Sequence, residues 1–201
     1  MIEDLDEEAW TERREGFIVR CNALAVQKLW SKNTCGVNEA SVLLHSALAA
    51  ASGAPDITPT IKTLRCATLL NLGWLAYAGG ATQYHEALGW FTAAVEAGAQ
   101  DPICLARAAT NAGMVLLELG RGRQAASNFR RAISVLVDVR VNGEGAEADP
   151  AADRDCDGES TRLEMHTALE VQTSFHLAQA ELSQGRYDSA LDVLEHALFV
   201  A

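Results

Sequence analysis

Residues 71–94 read NLGWLAYAGGATQYHEALGWFTAA, and residues 111–132 read NAGMVLLELGRGRQAASNFRRA, which is a second version of the same pattern. Each version opens with Asn-x-Gly and continues with a small–large–small series, which is Ala87, Phe91 and Ala94 in the first and Ala125, Phe129 and Ala132 in the second. A repeated unit cannot bury its own apolar face, so it must stack on its neighbours. The sequence therefore predicts an array of similar helical units.

Each version is predicted to form two helices joined by a turn that contains glycine. Thr58-Pro59 and Asp101-Pro102 are start signals, because the first side chain can cap a helix and proline in the first turn removes a donor that the helix does not use. Gly120 is typical of a helix end. The first helices of the two hairpins are therefore predicted at 59–78 and 102–119.

The pattern extends to both ends of the chain. Ala190, Leu194 and Ala197 form a third copy, and Asn38 is predicted to cap the second helix of a degenerate hairpin near the N-terminus. The predicted organisation is a degenerate hairpin at 1–51, a linker at 52–58, two repeats at 59–140, an acidic flexible insertion at 141–160 and a third clear repeat at 161–201. The insertion is rich in Gly, Ala, Asp and Glu, which is typical of flexible segments.

These residues resemble the tetratricopeptide repeat (TPR) family. The helices are longer than in short repeats and are similar to the variety found in kinesin light chains and cell-polarity adaptors. The resemblance implies an all-α fold, a right-handed superhelix of about four stacked helix-turn-helix hairpins. It also implies a non-enzymatic scaffold or adaptor that binds a protein or peptide in a concave groove.

Composition restricts the partners. A net charge of −11, from 27 acidic and 16 basic residues, argues against binding to nucleic acid or to an anionic membrane surface. No apolar run is long enough to span a membrane, and five scattered cysteines indicate a reducing, cytoplasmic compartment.

No nucleophile is set beside a base and an orienting acid, so the chain is not predicted to be an enzyme.

The resemblance implies that the first helix of each repeat lines the groove, and this gives a candidate peptide-binding set of Asn71, Trp74, Arg107, Asn111 and His176. An Asn side chain can donate one hydrogen bond and accept another from an extended peptide backbone. The alternative is that Asn71 and Asn111 satisfy polar groups of their own fold.

A second motif lies in the predicted insertion. Asp153, Asp155, Asp157 and Gly158, followed by Glu164, match the spacing of an EF-hand loop, and a helix would begin near Thr161. No other cofactor is indicated. The alternative function is therefore a calcium-responsive regulator in which this loop orders on binding calcium.

The C-terminus suggests a weaker alternative. The last helix ends in Leu198-Phe199-Val200-Ala201 with no polar capping helix, which a repeat array normally needs. Either the chain is the truncated end of a longer array, or this helix mediates self-association into a homo-oligomer.

Overall fold

The computed structural model describes residues 2–30, 34–53, 58–97, 101–144 and 156–201. These residues form eight α-helices and no strand, with one short 3-10 turn at Ala81–Gln83. The helices are α1 (Ile2–Trp30), α2 (Thr34–Ser52), α3 (Pro59–Ala78), α4 (Tyr84–Glu96), α5 (Pro102–Glu118), α6 (Gly122–Glu144), α7 (Cys156–Leu182) and α8 (Tyr187–Val200). The predicted all-α class is confirmed. None of the helices in these ranges carries a stretch that is long and apolar enough to cross a membrane.

The chain forms two compact units, Met1–Cys104 and Leu105–Ala201. In the first unit, α1 packs against α2 and α3, and α3 packs against α2 and α4. Two core clusters hold these helices together. The first contains Ile18, Cys21, Ala47, Ala51 and Ile61, and the second contains Ala25, Ala40, Leu44 and Leu72.

The start of α3 agrees with the sequence pattern. Thr58 has an extended backbone, and its side-chain oxygen accepts a hydrogen bond of 3.2 Å from the backbone N–H of Ile61. This hydrogen bond satisfies one of the N–H groups that have no partner inside the helix. The predicted range 59–78 is the observed range of α3.

The start of α2 differs from the prediction. Asn38 lies inside the helix, which begins at Thr34, and so does not cap it. Gly36 in the additional turn is buried, so this turn packs against the rest of the unit. Glu39 accepts a hydrogen bond of 3.2 Å from Cys35 and forms a 2.5 Å ion pair with Lys28 of α1, but both side chains of the pair are exposed and it contributes little. Burial of this turn therefore extends the helix beyond the local capping signal.

In the second unit, α7 packs against both α6 and α8. Two acidic side chains of α7 are buried at these contacts. Glu181 forms 2.5 Å ion pairs with Arg130 of α6 and with Arg186, which precedes α8. Glu170 lies 3.4 Å from Arg140 of α6 and 3.1 Å from His196 of α8. A buried carboxylate needs such partners, so these groups fix how the three helices meet.

Both ends of the predicted insertion at 141–160 are helical. Helix α6 continues to Glu144, and α7 begins at Cys156 instead of near Thr161. The pairing of Arg140 with Glu170 holds the last turns of α6 against α7, which explains why α6 does not end at Arg140. Residues 145–155 lie outside the described part of the chain.

The glycines of the repeated pattern lie against its phenylalanines. A Cβ atom placed on Gly113 of α5 would lie 2.5 Å from the Cε1 atom of Phe129 of α6, and Gly73 of α3 is in the same relation to Phe91 of α4. Both rings are buried. Since real Cβ atoms do not approach a ring so closely, only glycine fits these helix crossings.

We expect Gly113→Ala to lower the free energy of unfolding by about 1–2 kcal/mol, because overpacking by the new methyl group exceeds the gain in helix propensity. The matched control is Gly89→Ala on the exposed side of α4, where no described atom lies within 4 Å of an added Cβ. That control should raise the free energy of unfolding by about 0.5–1 kcal/mol. Urea unfolding of both variants measures the difference, and equal effects would contradict the assignment.

Candidate functional site

Asn71 is bound within the first unit. Its amide donates a 2.8 Å hydrogen bond to the side-chain oxygen of Asn22 on α1. Asn22 in turn donates to the hydroxyl of Thr68 at 2.8 Å and to the carbonyl of Ile18 at 3.0 Å. The amide group of Asn71 therefore joins α3 to α1. This agrees with the alternative that Asn71 satisfies a polar group of its own fold.

Trp74 lies one turn further along α3 and is 41% exposed. Its ring meets Tyr77 and Phe91 edge to face, with centroid distances of 5.5 Å and 6.2 Å. The contact with Phe91 is buried packing, whereas the remaining face of the indole is open to solvent. Trp74 thus contributes to both the core and the surface of the first unit.

In the second unit, α5 presents a stripe of side chains with helical spacing, which consists of Arg107, Asn111, Met114 and Glu118. Arg107 and Glu118 are exposed, and Met114 is half-buried. Residues spaced in this way lie on one face of a helix. The stripe therefore places Arg107 and Asn111 on the same side of α5.

Asn111 differs from Asn71 in its hydrogen bonding. Its side chain is 9% exposed, and it has no hydrogen-bond partner among the described residues. The polar atoms of Asn111 are not among the fully buried unpaired atoms, so water can reach them. The Asn111 amide can therefore bond to a ligand in place of water.

Helix α7 lies beside α5 and carries His176. The two helices are joined by a 2.9 Å hydrogen bond between the hydroxyl groups of Thr110 and Thr173. His176 stacks on Phe129 with a centroid distance of 5.8 Å, and Phe129 also contacts Gly113 of α5. His176 is therefore linked through Phe129 to Gly113 of α5, the helix that carries Arg107 and Asn111.

Two apolar residues of α7 belong to this face but were not predicted from sequence. Phe175 is 58% exposed and packs edge to face on His176, and Met165 accepts a 3.1 Å hydrogen bond from the guanidinium of Arg107. The signal was present in the sequence, since Met165, Gln172, Phe175 and Gln179 recur at helical spacing and are all exposed. We call the face formed by Arg107, Asn111, Met165, Phe175 and His176 the α5–α7 surface.

The residues of the predicted calcium loop are only partly described. Asp153 and Asp155 lie outside the described residues, Asp157 falls in the first turn of α7, and Glu164 is exposed on the same helix. Within the described ranges, no group of three or more His, Cys, Asp or Glu side chains could hold a metal ion. Calcium binding therefore stays a prediction.

Comparison with known proteins gives the fold class. No protein-family model matches the chain, and no curated protein matches it significantly. Among solved structures, BtubC (BKLC) from P. vanneervenii is similar, with a TM-score of 0.54 and 16% identity over 99% of this chain and 86% of BtubC. A second similar structure, from Podosopora anserina, is described as a kinesin light chain with nearly identical TPR-like repeats. It has a TM-score of 0.48 and 14% identity over 91% of this chain and 95% of that one.

The chain has a TPR-like fold built of helical repeats, as the repeated pattern predicted. In particular, it is similar in fold to BtubC (BKLC) from P. vanneervenii.

The two asparagines should respond differently to truncation. We expect Asn71→Ala to lower the free energy of unfolding by about 1 kcal/mol, because it removes a hydrogen bond and leaves the oxygen of Asn22 unpaired. Asn111→Ala should change the free energy of unfolding by less than about 0.5 kcal/mol, because the amide it removes is already unpaired. Urea unfolding tests this, and a greater loss for Asn111→Ala than for Asn71→Ala would contradict the two assignments.

Proposed function

We propose that the chain is a non-enzymatic protein–protein interaction module that binds an extended peptide on the α5–α7 surface. The observation that carries the proposal is the nearly buried amide of Asn111, which lacks a partner among the described residues. One Asn amide can accept a hydrogen bond from the N–H and donate one to the C=O of the same residue of a peptide. An extended peptide would supply both groups.

The other side chains of the α5–α7 surface are suited to the same ligand. Phe175 offers an exposed ring for an apolar side chain, and aromatic residues often dominate the energy of protein interfaces. Arg107 is exposed and donates to the sulfur of Met165, which is a weak acceptor, so its guanidinium can pair with an acidic group. A peptide with an apolar and an acidic side chain would therefore fit.

A protein partner is also the kind of ligand that a TPR-like fold suggests. Asn71 is a weaker candidate than Asn111 for peptide binding, because its amide is used by Asn22. We place the module in the cytoplasm, where reducing conditions keep cysteines as thiols, and Cys21, Cys35, Cys66 and Cys104 are not disulfide-bonded.

Peptides selected on the wild-type protein should depend on the α5–α7 surface. Peptides selected by display from a random library are labelled, and their affinities are measured by fluorescence polarisation. Phe175→Ser and Asn111→Ala should each weaken binding by about tenfold, since truncating an interface anchor costs more than about 1 kcal/mol.

The matched control is Phe199→Ser, which removes a phenylalanine that is 86% exposed on α8. It should leave the affinity within about twofold, because Phe199 is not part of the α5–α7 surface. Selected peptides that bind all three variants equally, or a selection that yields no peptide, would contradict the proposal.

A specific observation also favours self-association as a second function. Tyr187, Leu191 and Leu198 are exposed at spacings of four and seven residues along α8, and Leu198 is 80% exposed. Such an apolar stripe on one face of a helix is typical of an interaction surface. The second unit therefore offers a face on which a second copy could pack.

We expect light scattering of the wild-type chain to show a molar mass that rises with concentration above that of the 21.5 kDa monomer. Leu191→Gln combined with Leu198→Gln should shift the protein to the monomer, because it removes apolar area from the interface. Val141→Gln, which changes another exposed apolar residue, is the control. A wild-type chain that stays monomeric at every concentration would exclude this function.

A further inference from the structure

A cavity of about 420 Å³ lies in the second unit between α6, α7 and α8. It is an open pocket on the surface of this unit, with a volume in the range of known ligand pockets. It is lined by Arg130, Ile133 and Ser134 of α6, Ser174 and Leu177 of α7, and Ser189, Asp192, Val193 and His196 of α8. We call it the α6–α8 cavity. It is separate from the α5–α7 surface and does not depend on the proposed function.

The buried ion pairs of α7 flank the cavity. Glu170 and Glu181 lie eleven residues apart, which is about three helical turns, so they are on the same face of α7. Ser174 and Leu177 lie between them on that face. Because Glu170 binds Arg140 and His196 while Glu181 binds Arg130, the walls of the cavity are held at both ends.

The interior combines apolar walls with an unpaired hydroxyl group. Ile133, Leu177 and Val193 supply aliphatic surface. Ser174 is buried, and its hydroxyl has no hydrogen-bond partner in the described part of the chain. Such a group is costly unless something binds it. The hydroxyl groups of Ser134 and Ser189 also line the cavity.

One acidic side chain of the lining, Asp192, is unpaired within the described part of the chain. Asp192 is exposed and has no ion-pair partner among the residues that the structure describes. The two other ionisable lining residues, Arg130 and His196, are each bound to a buried carboxylate. Arg186, the second cation on Glu181, does not line the cavity and also bonds to Gln184. A cationic ligand would therefore complement Asp192.

We propose that the α6–α8 cavity binds an arginine side chain of a partner protein. The aliphatic stem of arginine would lie against Ile133, Leu177 and Val193, and the guanidinium would pair with Asp192. The guanidinium has five donors, which can also satisfy neighbouring hydroxyl groups such as that of Ser174. The net charge of −11 favours approach of a basic partner.

The test uses the full chain and small probes in a titration followed by protein NMR. The probe is Nα-acetyl-arginine methylamide, and its matched control is the citrulline analogue, which has the same shape without the charge. A third probe, Nα-acetyl-glutamate methylamide, carries the opposite charge. We expect the arginine probe to shift signals of residues that line the cavity and to bind at least about fivefold more tightly than citrulline, as a charge-assisted hydrogen bond requires.

Two substitutions on α8 test whether Asp192 is the group that recognises the positive charge. Asp192→Asn should abolish the preference for arginine over citrulline, whereas Asp188→Asn, which changes an acid of the same helix that does not line the cavity, should preserve it. Ser174→Ala should weaken the arginine and citrulline probes by similar factors, because both can donate a hydrogen bond to the hydroxyl group. The folding of each variant is checked from its NMR spectrum.

Three results would overturn the proposal. The first is an arginine probe that shifts no signal from the cavity. The second is a citrulline or glutamate probe that binds as tightly as arginine. The third is a preference for arginine that survives Asp192→Asn, which would place the recognition at another acidic group.

Discussion

The contact between a phenylalanine ring and a glycine backbone is the constraint on which the helical hairpins depend. Phe129 lies where a side chain on Gly113 would be, and Phe91 has the same relation to Gly73. The ring of one helix packs directly on the backbone of the other, where glycine has no side chain. This close packing fixes the distance between the two helices. Because Phe129 also stacks on His176, this contact sets the place of α7 beside the hairpin of α5 and α6. The candidate surface is thus a consequence of the same packing.

Helix α7 has two faces that differ in their contacts. One face carries Glu170, Ser174 and Glu181 towards α6 and α8, and its two carboxylates are buried against arginine and histidine side chains. The other face carries Phe175 and His176 beside α5. Buried charges are retained only when they are paired, so the first face is costly to change. On the second face Phe175 is exposed and His176 is half-buried, and this face belongs to the proposed peptide-binding surface.

The sequence was sufficient to predict the helices that carry strong local signals. Thr58 caps α3 as expected, because the hydrogen bond involves residues only three apart. The predicted start of α2 was wrong because the helix begins earlier with a turn in which Gly36 is buried, and a local capping signal does not report burial. The same distinction applies to the site. Asn71 and Asn111 occupy equivalent places in the repeated pattern, yet only Asn71 has a partner among the described residues, and that partner is Asn22 on α1. No local pattern could separate the two residues.

The ring of Phe129 and the absence of a side chain at Gly113 should behave as one interaction. A double-mutant cycle measures it directly, using Gly113→Ala, Phe129→Leu and the combined variant in urea unfolding. If the two residues are coupled, the smaller leucine makes room for the new methyl group, and the combined variant is more stable than the sum of the single changes by at least about 1 kcal/mol. Additive changes would contradict the coupling.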